Sequence, residues 1–177
     1  PATSSPVSYA VTINKPPQEV YAFYRTLEHH PLFMSHLESV TEHGDTSHWI
    51  SRLPTGGTVE WDARITEDRP GKLIAWQTLP GSPIPLRGRI TFTRAPARDM
   101  TEVRADVQLG STGERPSEAL AKLFATQRVR SDLLRLKQVL ETGEVLYSDA
   151  SLHPFPHPAR PALITPTSLT AEEGVIR

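Results

Sequence analysis

The stretch VEWDARIT, at residues 59–66, shows the clearest alternation of apolar and charged residues in the chain. Alternate positions from Val59 to Ile65 are apolar, and the charged residues Glu60 and Asp62 lie between them. Successive side chains of a strand point to opposite faces, so one face of this segment suits a core and the other suits water. The pattern predicts a half-buried β-strand.

The same period of two continues on both sides of this strand. Turn sequences at Pro54–Gly57 and Arg69–Gly71 separate it from its neighbours, and short connections of about 2–5 residues join antiparallel strands. The alternation predicts seven strands in all, over residues 7–13, 37–43, 47–53, 59–66, 73–79, 87–93 and 101–109.

Helical segments are predicted between the first two strands and after the last one. A short helix begins at Pro16 or Pro17, because proline fits the first helical turn. It ends before Pro31, and a second helical turn follows over residues 32–36. A helix of ~26 residues, about 40 Å long, is predicted from Pro116 to Thr142. This order predicts an α+β fold, in which a curved antiparallel sheet of about seven strands is wrapped around the long C-terminal helix.

The chain is expected to divide into two parts. Residues 1–144 carry all the predicted elements and form one domain. Residues 145–177 hold five of the 17 prolines and show no sustained periodicity, so they form a Pro-rich C-terminal extension. We expect this extension to be held either by its own domain or by a neighbouring chain, which would give a homodimer through the tail.

The composition excludes several classes of protein. A net charge of −1 gives no electrostatic footprint for nucleic acid. The absence of cysteine excludes a thiol nucleophile and a zinc site with cysteine ligands. No apolar run approaches the ~20 residues of a membrane span, and the first residues do not resemble a secretory signal. We therefore expect a cytoplasmic protein with no integral membrane segment, no nucleic-acid partner and, since no phosphate-binding loop is found, no cofactor.

The segment EHHPLFMSH, at residues 28–36, begins a run of five histidines within twenty residues. A metal site needs ligands that converge, but this spacing gives neither a helical HxxxH pair nor a strand HxH pair, so no metal site is predicted. We interpret the apolar centre, which includes Phe33 and Met34, as a lip over a cavity. The histidines are predicted to form the solvated rim of that lip.

Glu60 and Asp62 are the most suggestive pair of carboxylates. They share one strand face about 7 Å apart, and paired carboxylates can perform acid–base chemistry. Because they alternate with apolar residues, we expect them instead to face solvent and to pair with Arg64, Arg87 or Arg89. No catalytic residue is therefore assigned.

Five segments of the chain resemble the START/Bet v 1-like (SRPBCC) superfamily, within its polyketide cyclase/dehydrase and coenzyme-Q-binding branch. The resemblance covers roughly residues 5–144. It implies the helix-grip (Bet v 1-like) fold, with a deep and mostly apolar cavity between the sheet and the C-terminal helix. The matching segments are PQEVYAFYR at residues 17–25, HPLFM at 30–34, VEWDA at 59–63, IAW at 74–76 and LKQVLETGE at 136–144.

The expected function is the binding of a small hydrophobic ligand, such as a lipid, a quinone or an aromatic polyketide, by a carrier, sensor or chaperone. One alternative is a polyketide cyclase or dehydratase that uses the same cavity. A second is a non-enzymatic assembly module that uses the tail. The predicted ligand-binding residues, whose aromatic members could equally be core, are Phe33, Met34, Trp49, Trp61, Trp76, Phe92, Leu120, Phe124, Gln127 and Arg130.

Overall fold

A single antiparallel sheet of seven strands dominates the described part of the chain. The computed structural model describes residues 6–96, 98–109 and 125–143. Along the sheet the order is β1-β7-β6-β5-β4-β3-β2, so the first two strands of the chain form its opposite edges. The strands are β1 Val7–Ile13, β2 Leu37–His43, β3 Thr46–Arg52, β4 Thr58–Arg69, β5 Leu73–Thr78, β6 Leu86–Arg94 and β7 Thr101–Leu109.

The strand β4 follows the alternation seen in its sequence. Trp61 and Ala63 are buried, and Glu60 and Asp62 are exposed. The pairing register shifts within β2, next to Leu37, and again between β4 and β5. Such bulges bend a strand and increase its twist. The sheet is therefore curved as predicted, with its apolar face turned inward.

Two short helical segments connect the edge strands β1 and β2. Helix α1 covers Pro17–Arg25, with its proline in the first turn, and a 3₁₀ helix covers Leu27–Leu32. The α+β helix-grip fold predicted from the sequence is confirmed, although the second helical segment begins earlier than expected.

The C-terminal helix α2 covers Thr126–Thr142 and is shorter than predicted. It has 17 residues, because Ala125 has an extended backbone with φ −69° and ψ 156° and cannot continue a helix. The prediction of one unbroken helix is therefore wrong at Ala125, and its predicted start at Pro116 lies outside the described residues. The apolar stripe predicted from the sequence is interrupted near Ala125, and that interruption marks a helix start.

Helix α2 is fixed along the first strand of the sheet. The ammonium group of Lys137 donates a hydrogen bond of 2.5 Å to the carbonyl of Thr12. The backbone N–H of Asn14 donates to the Glu141 carboxylate at 2.8 Å. The helix ends at Gly143, whose φ of 69° is a left-handed conformation that glycine adopts without strain. These contacts set the depth at which the inner face of α2 lies over the sheet.

The buried side chains form two apolar clusters. One lies against α2 and includes Ile13, Val103 and Leu136. The other lies under β3 and β4 and includes Trp61 and Ile84. A cavity between the sheet and α2 is lined by side chains from both clusters.

The predictions for the C-terminal extension lie outside the described residues. This holds for the boundary after residue 144 and for the homodimer through residues 145–177, which the described residues do not support. Within the described ranges, no helix has the length and apolar character required to cross a bilayer.

Candidate functional site

A cavity of about 100 Å³ lies between the concave face of the sheet, the 3₁₀ helix and α2. Its walls are mostly apolar. Five of the ten predicted ligand-binding residues line it, namely Phe33, Met34, Trp49, Trp61 and Trp76. The chain thus places all three of its tryptophans at this cavity.

Three of the other predicted residues do not line the cavity. Phe92 is a core residue, packed edge-on against Tyr21 and Tyr24 at ring-centroid distances of 5.8 and 6.0 Å. Gln127 and Arg130 were expected to be the polar groups of the cavity, but both are exposed. The apolar stripe of α2 does point inward at Leu133 and Leu136, but these two polar residues lie outside it. Leu120 and Phe124 lie outside the described residues.

The tryptophans form a structured aromatic wall. Trp49 and Trp61 are direct cross-strand partners, and their rings are stacked with centroids 6.2 Å apart and planes 9° apart. The Trp49 indole N–H donates to the Ser47 hydroxyl at 2.8 Å. Because this hydrogen bond fixes the ring, Trp49 presents a defined aromatic surface to the cavity.

Two adjacent histidines satisfy the carbonyl groups at the end of α1. A helix leaves its last carbonyl groups without intrahelical partners. His29 Nδ1 lies 3.1 Å from the carbonyl oxygen of Phe23, and His30 Nε2 lies 2.9 Å from that of Tyr24. A carbonyl can only accept, so each of these ring nitrogens donates. The pair His29-His30 therefore acts as a C-terminal cap for α1, a role that neither the metal hypothesis nor the rim hypothesis included.

We expect His30→Ala to reduce the free energy of unfolding by about 1–2 kcal/mol, because the change leaves the partly buried Tyr24 carbonyl without its donor. Urea denaturation monitored by tryptophan fluorescence would measure it. His43→Ala is the matched control, since His43 is exposed, and its effect should stay within about 0.5 kcal/mol. Equal losses in the two variants would contradict the capping role of His30.

His30 and His36 are buried, so the prediction of a solvated histidine rim was wrong for both. Their exposed fractions are 3% and 6%. Burial lowers the pKa of His30 to about 4 and that of His36 to about 3. The cations Arg128, Arg52 and Arg135 lower the pKa of His36 further. Both rings line the cavity as neutral imidazoles near pH 7.

Asp132 is the other titratable group of the cavity wall. It is 7% exposed, and its Oδ1 atom has no hydrogen-bond partner among the described residues. Burial raises the pKa of its carboxyl to about 8, against the opposing effect of Arg128 and Arg135. Burial and the Asp132 charge together raise the pKa of Tyr24. The cavity therefore contains a carboxyl group that is mostly protonated at pH 7.

Asp132 was not among the residues predicted from the sequence, although the sequence carries a signal for it. The buried face of α2 is formed by Val129, Leu133 and Leu136. Asp132 lies three residues after Val129 and four before Leu136, so it belongs to the same helical stripe. A carboxyl group in an apolar stripe identifies a polar group directed at the core.

Glu60 and Asp62 face solvent, as predicted, but their partner is His48 on β3. His48 Nδ1 lies 2.8 Å from an Asp62 oxygen, and Nε2 lies 3.4 Å from a Glu60 oxygen. The hydrogen bond to Asp62 raises the pKa of His48. The predicted pairing with arginine was wrong, because Arg64 pairs with Asp45 and because Arg87 and Arg89 lie on β6, two strands away from β4. This cluster lies on the convex face, away from the cavity.

Within residues 6–96, 98–109 and 125–143, no group of three or more histidine, aspartate or glutamate side chains is arranged to hold a metal ion.

The seven-stranded sheet, the C-terminal helix and the cavity between them form a ligand-binding fold of the SRPBCC type. The family described as "Polyketide cyclase / dehydrase and lipid transport" matches residues 13–136. The chain belongs to this family. A START superfamily protein from Mycobacterium smegmatis has the same fold, with a TM-score of 0.63 at 12% identity, covering 78% of this chain and 98% of that one.

Two relatives are similar over most of the domain. An uncharacterized 17.2 kDa protein of Streptomyces lincolnensis is 31% identical over 140 residues, which are 77% of this chain and 90% of the relative. The crystal structure of DR_A0006 from Deinococcus radiodurans is 37% identical, with a TM-score of 0.63, and covers 79% of this chain and 100% of its own. The Zhui aromatase/cyclase from Streptomyces sp. R1128 has a TM-score of 0.60 at 14% identity, covering 80% and 98% of the two chains, which shows a common fold alone.

Proposed function

We propose that this protein binds a small hydrophobic ligand in the cavity between the sheet and α2, as a carrier, sensor or chaperone. One observation carries the proposal: an apolar cavity lined by three tryptophans contains a few buried polar side chains. Ligand sites in proteins typically combine apolar walls with a small number of placed polar groups. Residues of both apolar clusters support the walls, so the cavity is built into the core.

The size of the cavity suits a compact ligand. An apolar cavity of about 150 Å³ accepts benzene, and this one measures about 100 Å³. A single ring or a short acyl segment therefore fits with small side-chain adjustments. Met34 lines the cavity, and its flexible thioether allows such adjustment. A larger ligand requires movement of the wall.

Toluene binding tests this proposal. At ten times its dissociation constant a ligand stabilises the folded state by about 1.4 kcal/mol, which raises Tm by roughly 3–6 °C for a domain of this size. Ala63→Leu should abolish that shift, because Ala63 is buried in the cavity wall and the larger side chain occupies the space. Thr66→Leu, at an exposed position of β4, should retain the shift. If the Ala63→Leu variant kept the rise in Tm, toluene would have to bind outside this cavity.

A cyclase or dehydratase activity is the second candidate, and a specific observation favours it. The cavity contains both a protonated carboxyl group at Asp132 and neutral imidazoles at His30 and His36. General acid–base chemistry requires groups of these kinds in reach of the substrate. The fold shared with an aromatase/cyclase is consistent with such a reaction. Conversion of a poly-β-ketone by the native chain, lost in Asp132→Asn, would establish it; binding without conversion would exclude it for that substrate.

The assembly-module hypothesis concerns residues 145–177. Removal of these residues followed by measurement of the oligomeric mass tests it directly. An unchanged mass would eliminate the homodimer through the tail.

A further inference from the structure

The hydrogen bond that His30 makes with α1 fixes its tautomer. Its Nε2 atom donates to the Tyr24 carbonyl, so the ring proton of the neutral imidazole is on Nε2. Its Nδ1 atom then carries only a lone pair. This atom is buried and has no hydrogen-bond partner among residues 6–96, 98–109 and 125–143. His30 therefore contributes a hydrogen-bond acceptor that lacks a donor.

Asp132 contributes the complementary group. Its carboxyl is buried in the same cavity wall, and a protonated carboxyl offers one O–H donor. Its Oδ1 atom is also without a partner in the described ranges. Buried polar groups are almost always hydrogen-bonded in folded proteins, so an unpaired donor and an unpaired acceptor lining one cavity are suited to a ligand rather than to the protein itself.

The positive charges around Asp132 disfavour a cationic ligand. Arg128 and Arg135 flank it on α2 at sequence separations of four and three, which places all three side chains on neighbouring positions of the helix surface. Their positive field opposes an ammonium group in the aromatic cavity. A carboxylate ligand is disfavoured as well, because it can only accept and would meet the bare Nδ1 lone pair of His30.

We infer that the cavity selects hydrophobic ligands that carry an uncharged hydroxyl group, which donates to His30 Nδ1 and accepts from the Asp132 carboxyl. The inference rests on the ligand-binding function proposed above. A hydroxyl is the smallest group that both donates and accepts, and on an aromatic ring its carbon skeleton would contact the wall of Trp49 and Trp61. Phenols and ring-bound alcohols form the predicted chemical class.

Four single-ring probes of similar size test this selectivity: p-cresol, toluene, benzoate and benzylamine. Their dissociation constants at pH 7 can be measured by titrating the indole N–H resonances of the protein in NMR spectra. We expect p-cresol to bind about tenfold more tightly than each of the others, because two hydrogen bonds are gained at otherwise unpaired groups. Equal or tighter binding of toluene, benzoate or benzylamine would overturn the inference.

A pair of variants on α2 locates the selectivity. Asp132→Leu should reduce the preference for p-cresol over toluene about threefold or more, with toluene binding retained. Gln127→Leu, at an exposed position of the same helix, should preserve the preference. If Asp132→Leu also preserved it, the assignment of Asp132 would be wrong. Comparable binding of all four probes would overturn this inference and leave the proposed function standing, whereas no binding of any probe would contradict both.

Discussion

Asp132→Leu is expected to raise the free energy of unfolding at pH 8 by about 2–4 kcal/mol. The carboxyl group has a pKa of about 8 in the folded protein, against an ordinary value of 3.8. The folded state therefore holds a proton that the unfolded state releases, and stability falls as pH rises from about 4 to about 8. Leucine has the same number of side-chain heavy atoms as aspartate, branches at Cγ in the same way and carries no charge, so it removes this cost.

The pH profile distinguishes this explanation from a general improvement in packing. Urea denaturation of both proteins at pH 5 and pH 8 should show a gain that grows with pH. His30 and His36 have lowered pKa values in the folded state, so stability should fall in both proteins as pH decreases below 6.5. Gln127→Leu, at an exposed site of the same helix, should give no such pH-dependent gain. A gain of equal size at both pH values would refute the protonation argument.

The loss of folding stability that the buried Asp132 carboxyl causes is itself evidence that this residue has a functional role. A natural protein that keeps an unpaired carboxyl group in an apolar stripe sacrifices stability that one substitution would restore. Such trade-offs are common where a site must recognise or transform a ligand. The same reasoning applies to His36, whose two ring nitrogens have no partners in the described part of the chain. Asp132 and His36, whose buried polar atoms lower the stability of the fold, therefore both line the same cavity.

The fold could be predicted from the sequence because its signals are local. The alternation in VEWDARIT and the turn residues beside it determine strand β4 and its inward face without knowledge of any other element. The start of α2 could not be predicted in this way. The gap in the apolar stripe near Ala125 is equally compatible with a polar face of one longer helix, and only the observed backbone conformation shows that a helix begins there.

The site was less predictable because its polar groups depend on tertiary contacts. His30 becomes buried only when the 3₁₀ helix folds back and donates to the end of α1. His48 meets Asp62 because the β3–β4 register places these residues opposite each other. Neither the burial of His30 nor the contact between His48 and Asp62 can be predicted from the composition of the chain or from the spacing of its residues. Asp132 is different, since its position in the stripe of α2 was available from the sequence and was overlooked.

Gly88→Ala is expected to reduce the free energy of unfolding by about 2–3 kcal/mol and to weaken ligand binding. Gly88 on β6 lies directly opposite Trp76 on β5, and the indole occupies the space that a side chain would need. An added Cβ would lie 2.3 Å from Cζ2 and 2.5 Å from Cε2 of the Trp76 ring. Since the indole is rigid, the whole ring must move, and Trp76 is part of the cavity wall.

A double-mutant cycle with Trp76→Leu isolates this contact. In the Trp76→Leu background the clash is absent and the glycine has no left-handed φ, so Gly88→Ala should become neutral or stabilising by about 0.4–1 kcal/mol through the unfolded state. The coupling between the two sites should therefore reach about 3 kcal/mol, at the upper end of the range for residues in contact. If Gly88→Ala reduced the free energy of unfolding equally in the two backgrounds, the Trp76 ring would not depend on the absence of a side chain at residue 88. With the predicted coupling, Gly88 is the residue that positions one aromatic wall of the cavity and so limits the shape of its ligand.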